Sequence, residues 1–515
     1  MENITEKLSK PLINPWFIAC IVILPTAMEV LDSSIANVVL PYIAGDLGVS
    51  VDKSSWVLTC YLVSNAVILP ITGWLSDAIG RKRYFLISIA TFTIASLMCG
   101  LSTSLGELLF FRVLQGLGGG GLLPISQAIL IESFPEEKRS IAMGIYGMGV
   151  ILAPILGPVL GGWIADNFAW NWIFLINIPI GFISIALVYM FIREPKTETH
   201  KKYKKIDYIG LSTLTIGISA LQLLLDKGQR YDWFSSEFII VMAIISVISI
   251  LFCIYWELKC ENPIIDLRLL KDRNLSIGII SMFVIGMVFY AVNEALPVFL
   301  QTQMGYTAFL SGLVIGISGI VVLFGMPIAG VLSSKFNQKW LIMIGWTFAI
   351  ISLYKMTCFN LNITFMDTAW VRSIMGLGTS LIFVPVNSIA FEFIPHEKIE
   401  YGTGMINLAR NIGGSVGISA INTILARSEQ IHQNIFVKHI SPLNPVFSQT
   451  ISTMKENLGL TLQQSYHVVY SMLQKQSAML SYINCFHTLM LILIFTIPMF
   501  FFLKKGNNTL TTSYI

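Results

Sequence analysis

Charged side chains make up only 12% of these 515 residues, against 55% hydrophobic ones, where a soluble protein carries about a quarter charged. Together with a mean hydropathy of +0.72, that shortage excludes a water-soluble globular chain and leaves a membrane protein. The seven cysteines (Cys20, Cys60, Cys99, Cys253, Cys260, Cys358, Cys485) contain no CxxC pair and no metal-ligand spacing. Most of them lie in apolar runs, where a thiol behaves as a small buried hydrophobe. The six histidines form no HExxH or similar pattern, and His432, His467 and His487 are scattered in or near one polar stretch. GLGGGG from Gly116 lacks the GK[ST] ending of a phosphate loop and lies in an apolar run, which argues against nucleotide binding. No Ser/His/Asp arrangement and no soluble catalytic domain is visible, so neither an enzyme nor a cofactor or metal is expected. The net charge of +4 is small for this length and gives no argument for nucleic acid.

Long apolar runs are abundant. Taking about 20 residues per crossing, fourteen segments emerge, near 16–40, 54–76, 84–103, 107–131, 141–165, 171–192, 206–225, 236–257, 275–299, 310–333, 340–357, 367–391, 401–425 and 480–503. Each is expected to be helical, because lipid offers no partner for free backbone N–H and C=O groups. The N-terminal MENITEKLSK runs straight into the first segment with no small-residue cleavage site, which predicts a retained span rather than a removed signal.

Lysine and arginine alternate between loops. If the N-terminus is cytoplasmic, the inside connections hold Arg81, Lys82, Arg83, Lys138, Arg139, Arg193, the lysines from Lys196 to Lys205, Lys259, Arg268, Lys271, Arg273, Lys335, Lys339 and Lys398. The outside connections hold far fewer, so both termini are expected in the cytoplasm. Two connections are long. REPKTETHKKYKK from Arg193 is expected to be a basic cytoplasmic linker against anionic headgroups. The stretch 426–482 is polar, holds Pro442 and Pro445, and is expected to be an outer loop with one or two short helices near 460–475; loops of this length are commonly functional.

An internal repeat organises the rest. RVLQGLG at Arg112 matches RSIMGLG at Arg372, an offset of 260 residues, and the same offset pairs Gly116 with Gly376, Gly118 with Gly378, Glu132 with Glu392, Pro135 with Pro395, Lys138 with Lys398 and Gly144 with Gly404. The repeat maps spans 1–6 onto spans 9–14. The expected fold is therefore an all-α membrane protein of about 14 transmembrane helices: a six-helix bundle over 1–192, a linker and two inserted helices over 193–272, and a second six-helix bundle over 273–515. Repeated halves around a midplane site are the plan of secondary transporters.

Charges inside such spans are costly, roughly 2.5–3.5 kcal/mol each on insertion scales, and need partners. Arg112 lies about 8 Å past the outer start of span 4 and Asp32 about 13 Å from the same surface, at 1.5 Å per residue, so the two are plausible partners. Glu29 is one turn before Asp32 and shares its face, where two carboxylates need not both ionise.

LDSSIANVVLPYIAGDLG from Leu31, GWLSDAIGRKR from Gly73, RVLQGLGGG in span 4 and GVILAPILGPVLGG from Gly149 resemble the signatures of the major facilitator superfamily, specifically its fourteen-span drug:proton antiporters. LQLLLDKGQRYDWFSS from Leu221, NPIIDLRLLKDRN from Asn262 and NLARNIGGSVG in span 13 are similar to EmrB-type exporters, and the likeness covers nearly the whole chain. The resemblance implies proton coupling through Asp32 and Arg112. Glu29, at a position where family members need no acid, is expected from its like-charge neighbour to be a further proton carrier or else a solvated cavity residue. By the pseudo-symmetry, Glu294 and Arg372 are expected to form a second acid and base pair, carrying a proton or attracting a cationic drug, with Arg410 a third intramembrane arginine. Gly73, Asp77, Gly80 and Arg81 are expected to latch one end, Asp77 capping a helix or pairing with Arg81. Pro154, Gly157, Pro158 and Gly161 form the antiporter signature of span 5, suited to close packing and a bend. The resemblance further implies export of hydrophobic or amphipathic drugs across a bacterial cytoplasmic membrane, with a periplasmic membrane-fusion adaptor and an outer-membrane channel as partners. A dedicated metabolite exporter or a proton-coupled importer of the same fold is the alternative.

Overall fold

The computed structural model describes residues 14–192, 207–261, 263–395 and 398–504, all helix and connection with no strand among them. The first half holds α1 (Pro15–Val38), two short helices α2 (Leu40–Asp46) and α3 (Val51–Ser54), α4 (Trp56–Ile79), α5 (Arg81–Leu101), α6 (Leu105–Gly119), α7 (Leu122–Ser133), α8 (Glu136–Asn167), α9 (Trp172–Leu175) and α10 (Asn177–Phe191). A hairpin follows, α11 (Tyr208–Lys227) and α12 (Glu237–Lys259). The second half holds α13 (Arg273–Thr302), α14 (Ala308–Lys335), α15 (Gln338–Thr357), α16 (Phe365–Ala390), α17 (Ile399–Val437), α18 (Pro445–Leu458) and α19 (Leu462–Thr496). The basic linker expected from Arg193 to Lys205 lies outside the described residues.

Among the described residues, twelve helical segments are long and apolar enough to cross a membrane, and the protein is a multi-pass membrane protein. α8 and α17, at the places of the fifth and thirteenth expected spans, are outside that set. They are 32 and 39 residues long, and α17 carries Asn407, Arg410, Asn411 and Asn422. The expected outer loop 426–482 is mostly helical instead: α17 runs on to Val437, α18 follows, and α19 begins at Leu462. Asn444 and Thr461 start the latter two helices by accepting from Val446 N–H (3.0 Å) and Gln464 N–H (3.3 Å), caps that hydropathy alone does not reveal.

The repeat has a physical basis in two close helix approaches. A Cβ on Gly116 would lie 2.5 Å from the Tyr61 carbonyl on α4, and one on Gly118 would lie 2.6 Å from Phe92 N on α5. Their copies do the same against α14 and α15: a Cβ on Gly376 would sit 3.0 Å from the Ser318 carbonyl, and one on Gly378 2.7 Å from the Gly345 carbonyl. The helix starts are also copies. Ser104 accepts from Glu107 N–H and, 260 residues later, Thr364 accepts from Asp367 N–H. The two halves meet along two seams, α8 on α14 and α4 on α17, with Gly144 opposite the Met326 carbonyl and its copy Gly404 opposite the Leu69 carbonyl. The end of the molecule carrying the α4–α5 turn is called the Gly80 end below.

Candidate functional site

Arg112 is fully buried on α6, and its guanidinium is met on several sides. Nη1 donates to Asp32 Oδ2 at 2.7 Å and to Gln115 Oε1 at 2.9 Å, while Nε donates to the Val57 carbonyl at 3.1 Å. The rings of Tyr61 and Phe174 lie 4.4 and 5.3 Å from its Cζ. Asp32, on α1, uses its other oxygen to accept from Gln115 Nε2 at 3.0 Å and Asn177 Nδ2 at 2.7 Å. Asn177 and Gln115 also reach Ser96 on α5, at 3.0 and 3.2 Å. Helices α1, α4, α5, α6 and α10 therefore converge on one ion pair. Desolvating two charges is tolerable only when their remaining hydrogen-bonding groups are satisfied; both Asp32 oxygens are, and within the cluster Arg112 Nη2 and Asn177 Oδ1 lack a partner among the described residues.

Glu29 lies one turn earlier on α1, almost wholly buried. Its Oε1 accepts from the Tyr61 hydroxyl at 3.0 Å and from Asn65 Nδ2 at 2.9 Å, whereas Oε2 has no partner among the described residues. Tyr61 links Glu29 to the ion pair, its ring on Arg112 and its hydroxyl on Glu29. Arg410 on α17, from the other half, is within electrostatic reach of Glu29 and stands 6.0 Å from the Phe383 ring.

The second half does not copy the ion pair. Arg372 is buried, but its Nη2 donates to Asn293 Oδ1 at 2.7 Å and its Nε has no partner among the described residues. Glu294 accepts instead from Asn422 Nδ2 on α17 at 3.2 Å. Adjacent residues on a helix point about 100° apart, so the side chain that reaches Arg372 turns its neighbour Glu294 toward α17. The expected acid and base pair is thus an arginine–asparagine contact with a separate carboxylate beside it.

The Gly80 end is closed by polar contacts between the halves. Gly80, at φ +94°, terminates α4 in a conformation that other residues rarely adopt. Arg81 at once follows and forms ion pairs with Glu132 of α7 and Glu400 of α17. Asp77 accepts from the Tyr401 hydroxyl at 3.0 Å, and a Cβ on Gly73 would sit 2.8 Å from Tyr401 Cγ. Asn407 donates to Gln127 Oε1 at 2.7 Å, Thr403 to the Pro124 carbonyl at 3.2 Å, and the Ser140 and Ser388 hydroxyls are 2.9 Å apart. The span 5 signature faces elsewhere. The Pro154 carbonyl accepts from Ser34 at 3.1 Å, and Cβ atoms on Gly157 and Gly161 would meet Ser34 and Ile35 of α1; Pro158 lies between them on α8. That signature packs α8 within its own half, while Gly144 and Gly147 of the same helix approach Met326 and Phe383 of the other.

Gln115 lies inside RVLQGLG and Glu132 within the repeat, whereas Tyr61, Asn65, Asn177, Asn293, Glu400 and Tyr401 belong to no motif and are brought in by packing from helices distant in sequence.

A sequence model of the Major Facilitator Superfamily matches residues 22–418. The chain belongs to this superfamily. Among curated proteins it is 38% identical to the "Multidrug export protein EmrB" of Escherichia coli (strain K12), over 89% of each chain. It is 35% identical to the "Fatty acid resistance protein FarB" of Neisseria gonorrhoeae, over 93% of this chain and 94% of that one. Among solved structures, a double-tryptophan mutant of XylE superposes with a TM-score of 0.63 at 14% identity, covering 96% of this chain and 97% of that one, a likeness of fold. As a major facilitator member the chain is a transporter, and the Asp32–Arg112 pair occupies its first repeated half.

Proposed function

We propose that this transporter is a proton-coupled antiporter exporting hydrophobic or amphipathic toxic compounds across a bacterial cytoplasmic membrane, with both termini in the cytoplasm and the Gly80 end facing it. The observation that carries the reading is the sealed Asp32–Arg112 ion pair: an intramembrane acid with a single cationic partner is a switch that one proton can throw. Protonating Asp32 removes its attraction to Arg112, and the change in that buried interaction biases the inward-facing against the outward-facing arrangement of the halves. Support for drugs as the cargo comes from relatives named for multidrug export. Glu29 serves as an additional proton carrier, and Glu294 with Arg410 and Arg372 shapes the polar part of the cargo path. Arg81, Asp77, Gly73 and Gly80 hold the cytoplasmic end shut, and the packing of Pro154, Gly157 and Gly161 of the Pro158-containing signature on α1 carries the state of the acid to α8.

The segment from the end of α17 through α18 to the start of α19 is proposed as the surface for a periplasmic adaptor, leading to an outer-membrane channel. Leu443, Val446 and Leu458 are strongly exposed there, on the outer side in this orientation.

The test is substrate-induced proton movement in sealed vesicles. Substrate added to vesicles holding a proton gradient should release protons with the native chain and not with Asp32→Asn. Full-rate transport by Asp32→Asn with unchanged pH dependence would make the pair structural and end the coupling model.

A further inference from the structure

The inserted hairpin, α11 and α12, has no copy in the repeat. Along the α4–α17 seam, contacts near the Gly80 end are direct: Gly73 against Tyr401, Gly404 against the Leu69 carbonyl, and Asn411 Nδ2 to Asn65 Oδ1 at 3.5 Å. Toward the opposite end, hydrogen bonds from both helices run to the hairpin. On the α4 side, Asp226 Oδ2 accepts from the Thr59 hydroxyl at 2.5 Å, and Lys227 donates to the Ser55 hydroxyl at 2.9 Å. On the α17 side, Gln222 Nε2 donates to Asn411 Oδ1 at 3.3 Å, and the Trp233 indole N–H just beyond α11 donates to the Thr423 hydroxyl at 3.0 Å. α12 meanwhile turns Val247, Ile248 and Leu251 outward, as a lipid-facing helix should.

These two sets of bonds differ in kind. Lys227 is 3% exposed, paired with Asp226 at 3.1 Å and placed 4.9 Å from the Trp56 ring. A buried ammonium held this way is costly to pull free, and bonds involving a charge are roughly twice as strong as neutral ones. Both bonds to α17 are single and neutral. A rocking motion of the two halves must change the α4–α17 distance, so one set has to yield.

We propose that α11 is a moving part of the transport cycle, a strap carried by the first bundle through Asp226 and Lys227 that docks on α17 through Gln222 and Trp233 only while the Gly80 end is closed. Gln222 and Trp233 are then positioning residues of the cycle, and the hairpin covers the seam on its lipid side in that state. The idea rests on the transporter reading above, so its test needs a readout that does not depend on the cargo.

Pairs of cysteines are placed in a version of the full chain lacking the seven native ones, and joined by a flexible bifunctional thiol reagent. Ser55→Cys with Arg230→Cys ties the strap to α4; Gln222→Cys with Asn411→Cys ties it to α17. Each is read by export of ethidium from vesicles and by backbone hydrogen exchange at the Gly80 end. The tie to α17 should lower exchange there and cut export by at least about tenfold, relative to the same double variant before joining, whereas the tie to α4 should change neither. Equal effects of the two ties, or the reverse order, overturn the strap. If the cysteine-free chain exports nothing while exchange still follows the expected order, the drug-export reading falls and the strap stands.

Discussion

Asp32 Oδ2 lies 2.7 Å from Arg112 Nη1, with neither side chain more than 1% exposed. Gln115 bonds to both members, so the pair and its amide bridge respond together to any change of charge. Removing only one partner leaves an uncompensated charge in a medium that does not solvate it, at about 3–5 kcal/mol. Arg112→Met should therefore lower thermal stability in detergent by that order, and adding Asp32→Asn should restore most of it. Proton coupling in vesicles should be absent from both variants. If the double variant is no more stable than Arg112→Met, the two charges are not balancing each other.

Arg112→Lys separates charge from shape. An ammonium keeps the attraction to Asp32 but cannot reach Asp32, Gln115 and the Val57 carbonyl from one planar fork. The expected outcome is a folded chain with export reduced at least about tenfold, since the fork holds α1, α4 and α6 in register. Native-like export by Arg112→Lys in vesicles would show that charge alone suffices.

Glu29→Gln keeps an oxygen for the Tyr61 hydroxyl and Asn65 Nδ2, and removes one titratable group. Thermal stability should change by less than about 1 kcal/mol. The number of protons released per substrate should fall, while Asp32-dependent coupling persists. An unaltered proton count measured with a pH dye would leave Glu29 as a cavity residue.

Gly73→Ala drives a methyl group to 2.8 Å from Tyr401 Cγ and 2.9 Å from Tyr401 N. Backbone cannot retreat from such a contact without shifting α17, so the closed Gly80 end should be disfavoured. A cysteine at Ser388, which faces Ser140 across the halves, should react several-fold faster with a water-soluble thiol reagent in this variant. Arg81→Met should act in the same direction by leaving Glu132 and Glu400 close together without their shared cation. Unchanged labelling in both would detach these residues from the gate.

Removing residues 442–459, which hold α18, should abolish capture of a membrane-fusion adaptor and leave the melting temperature within a few degrees of the intact chain. The segment contributes only Phe447 and Ile451 to buried packing. Undiminished adaptor capture in detergent would exclude this surface.

The sequence by itself determined the membrane class, the repeat that relates Arg112 to Arg372 and the partnership of Asp32 with Arg112. These are legible because each rests on a local quantity: apolar length against bilayer thickness, an offset of 260 residues repeated at Arg112, Gly116 and Gly118, and the rise per residue that puts two charges at similar depth. Tertiary structure alone decided the rest. Tyr61, Asn177 and Gln115 surround the pair because α4, α10 and α6 pack on α1. Asn293 instead of Glu294 meets Arg372 through a difference of one residue in helical phase, which a repeat offset does not resolve. The polar stretch beyond Ala426 reads as a loop because hydropathy reports lipid contact, whereas its helices are set by the Asn444 and Thr461 caps and by packing on each other. The gate follows the same rule: GWLSDAIGRKR marks where Arg81 sits, but its partners Glu132 and Glu400 lie on two other helices, and only the closing of one half upon the other brings all three charges together.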